Sequence, residues 1–253
     1  MTGIEAYSPD RSIRGKLRRR LARLAERRPA RRGPARAMVS FSFDDAPVTA
    51  VTEGRAALEA RGLRGTYFVA ADLAGKLGPM GLNASAGALI EAAAAGHELA
   101  CHTFSHLDCG QADGSAIAAD VDRNVAALKA WGAAPATTFA YPYGDVSLAA
   151  KAALGGRYDL LRGLHHGLIE AGTDLNQAPA VGIEGPDGER LAHRWIDRAV
   201  ARRAWLILYT HDVADAPSAF GCTPGALDRL IGHVLAAGAE VVTVAEGARA
   251  LAG

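Results

Sequence analysis

At 253 residues the chain is long enough for one large domain or two small ones, and an α/β barrel fits that length. Its 49% hydrophobic and 22% charged residues exclude global disorder, and no apolar run reaches the ~18 residues of a membrane-spanning helix. The net charge of +1 hides a division: residues 11–36 carry twelve Arg or Lys against Glu26 alone, and residues 37–253 carry 16 basic and 24 acidic side chains.

The chain therefore divides by composition into a basic arm, residues 1–37, and a domain, residues 38–253. Leu17, Leu21 and Leu24 recur at helical spacing, so the arm reads as a short amphipathic basic helix suited to the inner leaflet of a membrane. The plainer alternatives are a solvated or loosely docked arm, or a translation start placed ahead of Met38. No recognised motif accompanies the charge, so nucleic acid is not an expected partner. The basic segment leads into no apolar core of a signal peptide, and the expected location is cytoplasmic, peripheral to the inner membrane at most. Cys101, Cys109 and Cys222 form no paired framework, and small buried thiols explain them better than metal ligation.

From Met38 onward, short β-branched or aromatic runs alternate with Ala- and Leu-rich helical stretches. Strands are expected at Val39–Phe43, Gly65–Val69, His97–Cys101, Thr137–Tyr141, Tyr158–Leu164, Ala178–Ile183, Trp205–Thr210 and Glu240–Val244. Helical patterns cover Val51–Arg61, Ala86–Ala95, Ser115–Trp131 and Pro224–Ala237, and Gly62, Gly96, Gly132 and Gly238 stand where helices should end. The alternation specifies parallel strands covered by helices. The expected fold is α/β: a distorted (β/α) barrel, complete or incomplete, of seven or eight parallel strands.

Polar residues collect after several of these strands: Asp44-Asp45 after the first, His102 and His106 after the third, Tyr141-Pro142-Tyr143-Gly144 after the fourth, and His211-Asp212 after the seventh. Active sites of α/β barrels assemble at that rim. Histidines at i and i+4 can reach one ion from a helix face, and a carboxylate from elsewhere completes three protein ligands with a position left open for water. Of two adjacent aspartates at a strand end, one can bind the ion and the other take a proton. The competing reading makes Asp45 the N-cap of a helix starting near Pro47. An Asp-His-His set suits zinc, and cobalt, nickel or iron can occupy similar sites.

The ordered combination resembles the polysaccharide deacetylase family (carbohydrate esterase family 4, the NodB homology domain) over roughly residues 38–250. Ser42-Phe-Asp-Asp-Ala-Pro47 is similar to the first motif, TFDDGP, with Ala46 in place of glycine. His102-Thr-Phe-Ser-His106 matches the second motif, Tyr141-Pro-Tyr-Gly144 resembles the third, and Leu208-Tyr-Thr-His211 the last. The resemblance implies a NodB-like barrel with Asp44 as general base and Asp45, His102 and His106 as ligands of a divalent metal. It further implies that Tyr143 offers its backbone N–H to the oxyanion, that His211 protonates the leaving amine, and that Tyr141, Pro142 and Tyr143 meet substrate. Two arginines usual in the family are replaced, by Ala140 and by Ala180 after Pro179. The aspartate and tryptophan that support the catalytic histidine have only Asp174 and Trp195 as candidates.

The function these features imply is metal-dependent N-deacetylation of N-acetylhexosamine units in a bacterial surface polysaccharide or its lipid-linked precursor, similar to the signal-less exopolysaccharide, holdfast and O-antigen deacetylases. Its partner is then an acetylated glycan, free or lipid-linked. Two alternatives stand beside it: a deformylase or other amide hydrolase of the same fold, and a carbohydrate-binding protein that has lost catalysis.

Overall fold

The computed structural model describes residues 12–252. The chain begins with α1 (Ile13–Leu24), followed by β1 (Met38–Asp44), whose seven residues are all buried. A turn of π-helix at Ala50–Gly54 runs into the short α2 (Arg55–Glu59). Next come β2 (Thr66–Val69), the small hairpin β3 (Leu77–Gly78) and β4 (Gly81–Leu82), α3 (Ala86–Ala94), β5 (Glu98–Cys101), α4 (Gly114–Ala130) and β6 (Thr138–Ala140). The chain continues through α5 (Leu148–Leu154), β7 (Leu160–Arg162), β8 (Val181–Gly182), α6 (Gly188–Arg202), β9 (Trp205–Thr210), α7 (Pro224–Ala236), β10 (Glu240–Val241) and α8 (Val244–Ala252).

All strands except the hairpin join one eight-stranded parallel sheet, ordered β7-β6-β5-β2-β1-β9-β8, with β10 pairing the start of β1. The sheet curls until its edges approach. Ala178 bridges Arg162 of β7, and three residues later Val181 pairs Leu208 of β9, so the 178–182 stretch spans the seam of an incomplete barrel. The sheet is buried on both faces, which explains why β1 and β9 read as nearly continuous apolar runs. Helix starts follow their local chemistry. Ser85, Asp113, Ser147 and Thr223 each accept an N–H from the residue three positions on. The four glycines expected at helix ends all have positive φ, from 69° to 97°.

Several expected strands are cut short, among them Tyr158–Leu164 to β7, Ala178–Ile183 to β8 and Glu240–Val244 to β10. Thr66 Oγ1 accepts the Val244 N–H and Glu98 accepts the Ala245 N–H, which caps α8 where the run Glu240–Val244 suggested continued sheet. The basic arm, from residue 12, is docked. Leu175 N donates to Arg28 O (2.8 Å) and Ala30 N to Thr173 O (2.7 Å), while the Arg28 guanidinium donates to the carbonyls of Tyr158 and Asp159 ahead of β7. The compositional boundary at residue 37 is thus not a spatial one. All three cysteines are buried free thiols. No helix among the described residues is long and apolar enough to cross a membrane.

Candidate active site

The strand ends bring the expected residues to one rim. β1 ends at Asp44, and the chain turns sharply through Asp45 (φ 59°) and Ala46 (φ 49°). Left-handed backbone costs an L-residue roughly 1–2 kcal/mol. Of the seven non-glycine residues with positive φ among the described residues, five lie here: Asp45, Ala46, Thr103, His106 and Tyr143. The strain falls where side chains must be aimed. Asp45 makes no N-cap bond; the helix starts at Val48, and its first turn closes on the Pro47 carbonyl, which accepts Ala50 N at 2.9 Å.

His102 and His106 do not lie on a helix. They sit on the loop after β5, with Thr103 at φ 61° and His106 at φ 57°. Asp120 of α4 holds this loop, accepting Phe104 N (2.7 Å), Ser105 N (3.0 Å) and Ser105 Oγ (2.9 Å). The His102 Nδ1–H donates to Ala140 O at 2.8 Å, which fixes the tautomer and leaves Nε2 with its lone pair. Burial, then the neighbouring His106, outweighs Asp44 and Asp45 and pushes the His102 pKa down to about 4, so the ring is neutral at ordinary pH.

Asp45 Oδ1 lies 3.7 Å from His102 Nε2 and 3.5 Å from His106 Nε2. This oxygen is buried and accepts no hydrogen bond. One ligand atom from each residue falls within 4.8 Å of the others. An orphaned carboxylate oxygen facing two imidazole nitrogens fits a divalent cation between them, and the donor set is one that zinc accepts.

Asp44 is nearly fully buried, and its Oδ2 accepts a hydrogen bond from Arg162 Nη2 at 2.6 Å. Burial works to raise its pKa, but Arg162, His102 and His211 together hold it below the usual carboxylate value. Arg162, at the end of β7, is itself fully buried and stacks over Phe68 and Tyr209. Sequence reading missed this arginine. It is the register partner of Ala140 on the neighbouring strand, so its side chain enters from one position over.

His211 follows β9. Its Nδ1 lies 3.2 Å from Phe220 O and 3.6 Å from Glu184 Oε2. Burial disfavours the imidazolium, yet Glu184, Asp44 and Asp45 outweigh it and raise the pKa to about 9. Glu184 also accepts the Tyr209 hydroxyl at 3.2 Å. This corrects the expectation for the histidine's support. Asp174 instead pairs with Lys151 at 2.7 Å, and Trp195 packs on His166 and Arg198.

Of the third motif, Tyr143 is 40% exposed and sets its ring edge-on to His106, centroids 4.4 Å apart. Tyr141 and Pro142 are buried. The Tyr141 ring packs on Phe139 and its hydroxyl donates to Asn176 O, so neither ring is at the rim expected for substrate contact. Asp212 is used structurally, accepting Ser218 N at 2.8 Å and holding the loop after His211.

A family model described as polysaccharide deacetylase matches residues 31–155, the span that holds the first three motifs. The chain belongs to the polysaccharide deacetylase family. Solved members of this carbohydrate esterase family share the curled barrel. The chitin deacetylase from the fungal pathogen Colletotrichum lindemuthianum is 16% identical with a TM-score of 0.62, covering 87% of this chain and 91% of that one. The Xyl-CE4 domain of a multidomain xylanase from the hindgut metagenome of Trinervitermes trinervoides is 19% identical with a TM-score of 0.60, over 83% and 89%. A family 4 acetyl xylan esterase from Clostridium thermocellum, in complex with a cobalt ion, is 21% identical with a TM-score of 0.55, over 83% and 89%. At these identities the likeness is one of fold. A comparison with curated proteins finds no match.

Proposed function

We propose that this polysaccharide deacetylase is a metal-dependent N-deacetylase, hydrolysing the acetamide of N-acetylhexosamine units in a bacterial surface polysaccharide or its lipid-linked precursor. The observation that carries the reading is a division of charge at one rim. Asp44 is held as a carboxylate and His211 as an imidazolium, with the Asp45–His102–His106 cluster beside them. Amide hydrolysis needs that pair of states, a base for water and an acid for the amine.

A divalent ion on Asp45, His102 and His106 supplies Lewis acidity to the amide carbonyl and to water. The remaining work belongs to the chain. Asp44 accepts the proton of the attacking water, and Arg162 keeps that carboxylate ionised and aimed. His211 delivers its proton to the departing nitrogen, so the sugar leaves as a free amine and acetate remains. Glu184 keeps His211 charged until that transfer. The Tyr143 backbone N–H stabilises the oxyanion, and its exposed ring lies against the sugar. Tyr141 and Pro142 shape this turn from beneath.

The test is acetate release from N-acetylglucosamine oligomers and undecaprenyl-linked glycans, with and without chelator. Release that chelator abolishes and zinc or cobalt restores supports the reading, and so does loss of release in Asp44→Asn with metal still bound. Chelator-insensitive release, or formate as the product, overturns it.

A further inference from the structure

Helix α1 is docked inside out. Gly15 and Ala22, both small, are buried, while Leu17, Leu21 and Leu24 remain 55%, 44% and 68% exposed. A helix held in place for stability alone turns its leucines inward, because an apolar face gains most from tertiary packing. At 3.6 residues per turn the three leucines fall in one stripe about 60° wide, and Arg20 and Arg23 come next on one side of it. Both arginines are exposed.

This orientation is anchored. Lys151, buried on α5, donates to Ala22 O, to Ala25 O and to Asp174 Oδ2, each at 2.7 Å. Arg18 meets Asp145 at 2.7 Å, two residues past Tyr143. A crevice of about 380 Å³ runs beside Leu17 and Leu21 against Leu148 and Ala149.

The geometry points to α1 as a docking helix for an anionic bilayer surface. Leucines on the outward stripe enter the acyl boundary, and the flanking arginines meet the head groups. Charge complementarity selects this occupant. Residues 11–36 hold twelve cationic side chains, and the rest of the domain is net acidic, so a negative surface attracts the arm and repels most other faces. A second copy docked through the same stripe would bring two strongly positive helices together. A nucleic acid would leave the leucines unused. The inference rests on α1 alone. The proposed function enters only in what docking achieves: a rim pinned through Arg18 and Asp145 is held beside the bilayer, where a lipid-linked glycan presents its sugars.

The experiment is co-sedimentation of the full chain with vesicles of phosphatidylcholine alone or with about 30% phosphatidylglycerol, at about 0.1 M salt. Binding is expected only to the anionic vesicles and falls as salt rises. Arg20→Gln and Arg23→Gln should each weaken it about fivefold. The triple variant L17S/L21S/L24S should weaken it at least about tenfold with unchanged far-UV circular dichroism, since all three side chains are exposed. The inference is overturned if the wild-type chain ignores anionic vesicles, or if the leucine variant binds them as the wild type does. It is also overturned if light scattering finds a dimer that the leucine changes dissolve while vesicle binding stays intact. Acetate release, measured separately, fails or succeeds independently of these results.

Discussion

Glu184→Gln removes one negative charge beside His211 and keeps the shape and the oxygen that accepts the Tyr209 hydroxyl. Glu184 Oε2 stands 3.6 Å from His211 Nδ1. Both charges are delocalised, so the mean separation is nearer about 5 Å, and at an effective dielectric of about 20 the attraction is roughly 3 kcal/mol. That is equivalent to about 2–3 pKa units. Because burial continues to disfavour the imidazolium, the His211 pKa should fall from about 9 to about 6–7. The catalytically useful form is the protonated one, so activity is present below this pKa and lost as pH rises through it. The wild-type kcat/KM profile should hold up to an alkaline limb set by His211, and the variant should lose activity two to three units earlier. A cation on Asp45 cancels part of that residue's pull on His211 and lowers both limbs together, leaving their separation intact. The same raised pKa adds to folding stability fully below about pH 6.5 and ceases to do so as pH rises through about 9, a dependence the variant should lack. The assay is the pH dependence of acetate release, paired with NMR titration of the His211 ring. An alkaline limb that moves by less than about half a unit refutes the assignment of Glu184 as the group that keeps His211 charged.

Arg162→Met leaves Asp44 buried without its ion-pair partner, which should cost about 3–5 kcal/mol in denaturant unfolding and move the acid limb of the rate profile upward, because burial then raises the carboxylate pKa against His102 and His211 alone. Adding Ala140→Arg to that variant should recover part of both losses, checked by the same two measurements. Asp45→Ala should reduce metal content below what elemental analysis detects at stoichiometric loading, with the fold retained by circular dichroism. Asp120→Ala frees the loop N–H groups of Phe104 and Ser105 and should weaken metal binding about 10–100-fold by calorimetry, although Asp120 touches no proposed ligand atom.

Much of this arrangement was legible because it depends on short-range patterns. β9 occupies Trp205–Thr210 as the apolar run indicates, β1 extends one residue beyond Val39–Phe43 at each end, and the four C′ glycines mark their helix ends. The rim followed from the strand ends alone. What stayed hidden depends on the third dimension. His102 and His106 have helical spacing, yet they stand on a loop whose shape is set by Asp120, and no local pattern ties Asp120 to that loop. Lys151 is a lone lysine in an Ala-rich stretch, yet it is the buried anchor of α1. Glu184 and Arg162 are single charged residues near short strands, with nothing in their neighbours to set them apart.

The absence of an arginine at position 140 suggests a weakened site only if a function is tied to its sequence position. Paired residues of parallel strands stand side by side, about 4.8 Å apart, with side chains on the same face. Ala140 and Arg162 are such a pair, and Ala140 is fully buried. A guanidinium rooted on β7 can therefore reach a carboxylate that one rooted on β6 would serve, provided position 140 is small enough to let it pass. Ala100, Ala140, Ala178 and Ala180 cluster with Phe68 and Tyr209 in this core, giving the long side chain room and two aromatic faces. The alanines that stand in place of the two expected arginines, Ala140 and Ala180, are thus part of what makes the arginine at 162 possible. The charge on Asp44 is set by the guanidinium that arrives, whichever strand carries it.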